Sequence, residues 1–229
     1  MIEDSLKRRA HVVDYDTEVI PTLEEVKEIL KVSLDLVTSK QKGYPYQVFV
    51  LGPNEKRSNN LWQMCEGNKV ETDNKFNGPA GEKYKKNPGL YHLRSAPWTL
   101  IFTPRVAPPN PFHKWAFDYA NSHWELDDAK FVNEENRQAQ GIEIGMLAKI
   151  ITGATLDRGW DTSYNVCFPG KYKNWVDYPF LPFTPALIQT IGKATLYKWQ
   201  TLPEELRVLD TDLPFETMFT FIDEENNNE

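Results

Sequence analysis

From Leu23 to Val37 the apolar residues fall at Leu23, Val26, Ile29, Leu30, Leu34 and Val37, the spacing of one helical face. Thr22-Leu23-Glu24-Glu25 predicts the start of that helix as a capping box. The Thr22 hydroxyl meets the Glu25 N–H, and the Glu25 carboxylate reaches back. The helix is expected to stop before Gly43. From Pro45, Tyr46-Gln47-Val48-Phe49-Val50-Leu51 reads as a strand closed by Gly52-Pro53, and a second helix is expected from Glu55 to Cys65. Trp98-Thr99-Leu100-Ile101-Phe102-Thr103 is a second strand, after which Pro104, Pro108, Pro109 and Pro111 forbid regular structure. Ser163 to Phe168 reads as a third strand. Thr184-Pro185 has the N-cap and N1 signature of a further helix running through Ile191, and Thr217 to Ile222 makes a last strand.

The longest periodic stretch runs from about Asn133 to Arg158. Asn133 suits the N-cap, Glu134 and Glu135 suit the positive end of the helix dipole, and Arg158-Gly159 supplies a cation and a left-handed stop. From Gly141 to Leu156 this helix is apolar on nearly all sides, so it is expected to be buried centrally or in an interface. Gly141, Gly145 and Gly153 would let another backbone approach, and a symmetric dimer is the economical reason for them. Two stretches break the pattern. Residues 67–92, rich in Gly, Asn, Pro and Lys, read as an irregular excursion. Residues 112–131 carry Phe112, Trp115, Phe117, Tyr119, Trp124 and Phe131, which suits a packing layer or the wall of a pocket for a flat molecule. Strands separated by helices, with no internal repeat, predict a single α+β domain over residues 1–229.

Composition narrows the function. The chain has 229 residues and a formal charge of −7, without the basic face of a general nucleic-acid binder. Residues 223–229 form an acidic tail. Cys65 and Cys167 have neither metal-ligand spacing nor a disulfide framework, and they read as buried thiols in a reducing compartment. His11, His92, His113 and His123 are too scattered to nominate a metal site. No apolar run reaches membrane-spanning length and no signal peptide is visible, so a cytoplasmic protein is expected. No P-loop or dinucleotide glycine fingerprint is present.

The opening segment Leu6-Lys7-Arg8-Arg9-Ala10 ends in two arginines, whose planar forks match an oxyanion such as a phosphate. Alone, such a pair is most often simply solvated. In sequence order, however, several blocks resemble the nitroreductase family of FMN-dependent oxidoreductases. Leu6 to Ala10 with Asp14-Tyr15-Asp16 is similar to the family's Arg-Arg-Ser opening and the acidic turn after it. Ser39-Lys40-Gln41-Lys42-Gly43-Tyr44-Pro45-Tyr46 resembles its Pro-Ser…Asn-x-Gln-Pro-Trp loop. Ala96-Pro97-Trp98 resembles its Ala-Pro strand. The helix from Gln138 to Leu156, followed by Gly159 to Phe168, resembles its dimer helix and the strand after it.

The resemblance implies a nitroreductase-like sheet flanked by helices, with a long buried helix at a homodimer interface and FMN bound there. It implies hydride from NAD(P)H, passed through the flavin to a small planar acceptor such as a nitroaromatic or a quinone. The flavin performs the chemistry, so no catalytic side chain and no metal is nominated. Carried over residue by residue, Arg8, Arg9 and Ala10 would face the cofactor, Lys42, Gly43 and Pro45 would lie along it, and the backbone at Asn165, Val166 and Cys167 would approach its reactive edge. Phe112, Trp115, Phe117 and Trp124 would cover the substrate. The chain departs from the family pattern at Ala10 (Ser in the family), Val12 (often basic), Lys42 (Asn), Val166 and Cys167 (small or Gly), and in its acidic tail. These departures motivate an alternative from another class: a protein of the same fold that has lost tight FMN binding and serves as a binding or assembly module.

Overall fold

The computed structural model describes residues 11–39, 44, 46–53, 55, 61, 92–104, 134–166 and 185–197, with only the backbone described at 92, 104 and 134–139. All of these lie in one compact unit, Met1–Lys198. In chain order the elements are β1 (Val12–Tyr15), α1 (Leu23–Leu36), β2 (Tyr46–Leu51), the one-turn helix α2 (His92–Ser95), β3 (Trp98–Pro104), α3 (Glu134–Asp157), β4 (Asp161–Asn165), β5 (Leu187–Gly192) and β6 (Ala194–Tyr197). The expectations for 55–65, 67–92, 112–131, 168 and 217–222 concern segments wholly or largely outside the described residues.

Four strands form one sheet in the order β2-β3-β5-β4, and β1 pairs with β6 in a second. Every pairing among the described residues is antiparallel. Side chains alternate across the larger sheet. Trp98, Leu100, Phe102 and Ile191 turn to the face covered by α1 and α3, where they pack with Val26, Ile29, Ile144, Leu147 and Ile151. The Trp98 indole N–H donates to the Pro21 carbonyl at 2.8 Å, tying the start of β3 to the entry of α1. On the opposite face the Tyr15 hydroxyl lies 2.9 Å from Thr190 Oγ1.

Helix α1 begins at the predicted capping box. The Glu25 N–H donates to Thr22 Oγ1 at 3.2 Å, and the Thr22 N–H donates to the Glu25 carboxylate at 2.7 Å. Its buried face is Val26, Ile29, Ser33 and, just past the helix, Val37, whereas Leu23 and Leu34 are exposed. Ser33 enters the apolar face because its hydroxyl is satisfied by the Ile29 carbonyl at 2.7 Å. Helix α3 ends as predicted. Gly159 has φ +78°, its N–H meets the Leu156 carbonyl at 3.0 Å, and the Trp160 N–H meets the Thr155 carbonyl at 3.2 Å. Those two bonds are the Schellman pair, and Arg158 adds a guanidinium contact to the Ala154 carbonyl.

Two expectations are corrected. Residues 187–192 form strand β5 rather than a helix. Ile188, Thr190 and Ile191 are β-branched and buried, which suits a strand with neighbours on both sides, and this outweighs the Thr-Pro helix signal. The third strand spans Asp161–Asn165, starting two residues before the expected Ser163, because its ladder with β5 runs from Asp161↔Gly192 to Asn165↔Ile188; 167 and 168 lie outside the described residues. Within this chain helix α3 buries one face and leaves Gly141, Ile142, Gly145, Met146 and Lys149 as an exposed stripe. A Cβ added at Gly141 or Gly145 would meet nothing within 4 Å, so neither glycine serves a close backbone approach inside the subunit. The strands β1 and β6, too short for a period to show, were not anticipated.

Candidate functional site

The sheet register brings the start of β2 and the ends of β3 and β4 to one end. Tyr46, the first residue of β2, pairs with Pro104, the last of β3. Phe102 pairs with Leu187, the first of β5, and Ile188 pairs with Asn165, the last of β4. The start of β2, the end of β3, the start of β5 and the end of β4, with Val166 just beyond it, therefore lie at this same end. Antiparallel pairing in this strand order requires it.

The residue that follows the opening block also reaches β4. His11, next to Ala10 in the chain, places Nδ1 3.3 Å from the hydroxyl of Ser163, two positions before Asn165. Asn165 is buried at the strand's end, and Val166 beyond it is 65% exposed. Val12 is turned the other way, fully buried with Tyr15 and Ala96.

The segment before β2 is held from inside. Ser39 donates its hydroxyl proton to Glu143 Oε2 at 2.7 Å, and Ser39 Oγ accepts the Tyr44 N–H at 2.7 Å. Glu143 lies on the buried face of α3. Farther along that helix Tyr164 and Thr152 hydrogen-bond to each other, and Tyr164 also donates to the Ala148 carbonyl. Gln189 extends this network from β5, donating to Thr162 Oγ1 at 3.0 Å and to the Ala148 carbonyl at 3.3 Å. These buried polar side chains fix the height of α3 against β4 and β5, and thereby place Glu143 toward the end of the sheet where the start of β2 and the ends of β3 and β4 lie.

Two phenols with displaced proton affinities lie elsewhere. Burial pushes the Tyr15 phenol far above its ordinary range, with the Asp161 charge adding to the shift and the Thr190 hydrogen bond opposing it. Tyr197 is pushed up to about 12 by burial and by Asp161, whose Oδ1 accepts its hydroxyl at 2.9 Å. Asp161 opens β4 opposite Gly192, at the far end of the sheet, so this pair holds β6 in place.

Of the residues nominated from sequence, Asn165 and Val166 are described and stand together at the convergent end. Arg8, Arg9, Ala10, Lys42, Gly43, Pro45, Cys167, Phe112, Trp115, Phe117 and Trp124 lie outside the described residues. Sequence reading did not single out Ser39, Glu143, His11 or Ser163. The available signal was Glu143 itself, an acid within the apolar row of a long helix. Among the described residues no group of three or more His, Cys, Asp or Glu side chains is placed to hold a metal ion. Nor is any described helix long and apolar enough to cross a membrane.

No protein-family model and no curated protein matches this chain. Solved structures do. A candidate nitroreductase from Exiguobacterium sibiricum in complex with FMN superposes with a TM-score of 0.63 at 14% identity, covering 97% of both chains. A candidate NAD(P)H:FMN oxidoreductase from Staphylococcus epidermidis gives 0.59 at 16% identity, covering 97% of this chain and 96% of its own. Iodotyrosine deiodinase bound to FMN and 3-iodo-L-tyrosine gives 0.58 at 18% identity, covering 86% and 92%.

Proposed function

Taking the nitroreductase fold as the premise, we propose that this chain is an FMN-dependent oxidoreductase acting as a cytoplasmic homodimer. In this reading it takes electrons from NAD(P)H and passes them to a small planar acceptor such as a nitroaromatic or a quinone. The observation that carries the reading is the likeness of the fold to an FMN-bound nitroreductase structure. The start of β2 and the ends of β3 and β4, which adjoin the resembling blocks in sequence, lie at one end of the sheet. The described part of that end suits such a group. The backbone beyond buried Asn165 is open at Val166, and the segment entering β2 is held at its base by Ser39 and Glu143. When bound, FMN supplies the two-electron chemistry. The chain's part is to hold it: Arg8 and Arg9 on the phosphate, Lys42, Gly43 and Pro45 along the ring, and the backbone of Asn165, Val166 and Cys167 at its edge. Phe112, Trp115, Phe117 and Trp124 would cover the acceptor.

A second reading keeps the fold without tight flavin binding, as a binding or assembly module. One observation favours it. Val12, where the family often has a basic residue, is 0% exposed and packed with Tyr15 and Ala96, so this position offers no cation to a reduced flavin.

A visible absorption spectrum after dialysis against FMN separates the two. About one flavin per subunit supports the oxidoreductase, and Arg8→Ala is then expected to weaken binding more than about tenfold, the scale of one charge-assisted hydrogen bond. A colourless protein that takes up no FMN at high concentration supports the second reading.

A further inference from the structure

Glu143 is an ionisable side chain on the inner face of a long helix, 8% exposed, where the neighbouring inward positions are Ile144, Leu147 and Ala148. Burying a carboxylate among apolar residues is costly unless hydrogen bonds compensate it. One compensating hydrogen bond comes from Ser39, 104 positions away in sequence, at 2.7 Å.

The geometry has a direction. A carboxylate only accepts, so Ser39 must turn its single proton toward Glu143. That leaves a lone pair of Ser39 Oγ for the Tyr44 N–H, also at 2.7 Å. Tyr44 has φ +43°, in the left-handed region that side chains other than glycine seldom occupy. The hydroxyl thus ties Ser39 to Tyr44, a residue whose backbone is not in its resting conformation. The Tyr44 ring packs edge-on to Tyr46 with centroids 6.2 Å apart, which carries the constraint into the first residue of β2.

We propose that Glu143 is a positioning residue for the cofactor: acting through Ser39, it fixes the backbone of Tyr44 at the entry to β2, beside which the flavin of the proposed function is held. The proposal rests on the FMN reading above. It concerns a carboxylate that acts through Ser39 rather than on the flavin, and it accounts for an acid on the buried face of the helix.

The test is FMN titration of the full-length dimer in five forms: wild type, Glu143→Gln, Glu143→Leu, Ser39→Ala and the Glu143→Leu/Ser39→Ala double variant. Amide exchange at Tyr44 is followed in each. Gln retains an acceptor oxygen, so E143Q is expected within about threefold of wild type. E143L and S39A each weaken FMN about tenfold or more, the worth of a hydrogen bond to a charged group. The double variant should be no worse than either single one, since both break the same connection. Ile151→Val, which trims the core face of the same helix away from Ser39, controls for general loss of stability and should keep its flavin affinity. Wild-type affinity in E143L, additive losses in the double variant, or E143Q as weak as E143L would each overturn the proposal while leaving the FMN reading intact. If the wild type itself takes up no flavin, the functional reading fails first. Exchange at Tyr44 then decides the Ser39–Glu143 connection: unchanged protection in S39A and E143L refutes it, and lost protection upholds it.

Discussion

Tyr15 and Thr190 meet hydroxyl to hydroxyl at 2.9 Å across 175 residues of sequence, joining the two-stranded sheet to the middle of the larger one. Thr190 Oγ1 also reaches the Ser163 carbonyl at 3.4 Å, and Ser163 faces His11. A line of hydroxyls therefore links three strands to the chain just after the paired arginines. Tyr15→Phe removes the phenol from this line and is expected to cost about 1–2 kcal/mol, the worth of a buried neutral hydrogen bond with its partner left behind. Urea denaturation should show a lower midpoint at unchanged slope. An unchanged midpoint would mean that the hydroxyl contributes nothing net.

Gly192 and Gly145 predict opposite outcomes for the same substitution. A Cβ at Gly192 would lie 2.7 Å from Pro97 Cδ and 2.8 Å from Tyr15 Cδ1. Gly192→Ala is therefore expected to destabilise by about 1–3 kcal/mol through overpacking between two stiff rings. At Gly145 the space is open, and Gly145→Ala should stabilise the subunit by up to about 1 kcal/mol through helix propensity. Thermal melts of the two variants check both signs.

The exposed stripe of Gly141, Ile142, Gly145 and Met146 is the proposed homodimer contact. Gly145→Leu is expected to raise the dimer dissociation constant, measured by sedimentation equilibrium, with the far-UV circular dichroism unchanged. A dimer of undiminished affinity would place the interface on another face.

The capping box predicts a pH dependence. Hydrogen bonds from the Thr22 backbone and hydroxyl hold the Glu25 carboxyl below its ordinary value of 4.5. As pH falls the unfolded chain takes up this proton first. The contribution is thus complete above the ordinary value and is lost as pH falls through the lower folded one. Thr22→Ala should cost about 1 kcal/mol at neutral pH, and its stability should fall less steeply than wild type below pH 4.5.

Tyr197 acts on the alkaline side. Its folded value, raised from 10.0 to about 12, means that the folded state keeps the proton longer. That stability is present below pH 10 and is lost between pH 10 and about 12. Tyr197→Phe should flatten this part of the pH profile, leaving only the share of Tyr15. A profile as steep as that of the wild type would assign the alkaline loss to other groups.

What the sequence determined by itself was local. The box at Thr22 and Glu25, the stop at Arg158-Gly159 and the runs 46–51 and 98–103 are written within a few neighbouring residues, and the structure has them where the pattern puts them. Each depends on hydrogen bonds or periodicity that need no distant partner. Residues 187–192 read differently because Pro185 carries a local helix signal, whereas the strand is imposed by neighbours on both sides, β3 and β4. The order of blocks pointed to a flavin fold, but only the antiparallel register brings the start of β2 and the ends of β3 and β4 to one end of the sheet. The roles of Ser39, Glu143 and His11 belonged wholly to tertiary structure. A hydroxyl, a carboxylate and an imidazole are ordinary in a sequence, and what gives them meaning here is a partner more than a hundred residues away.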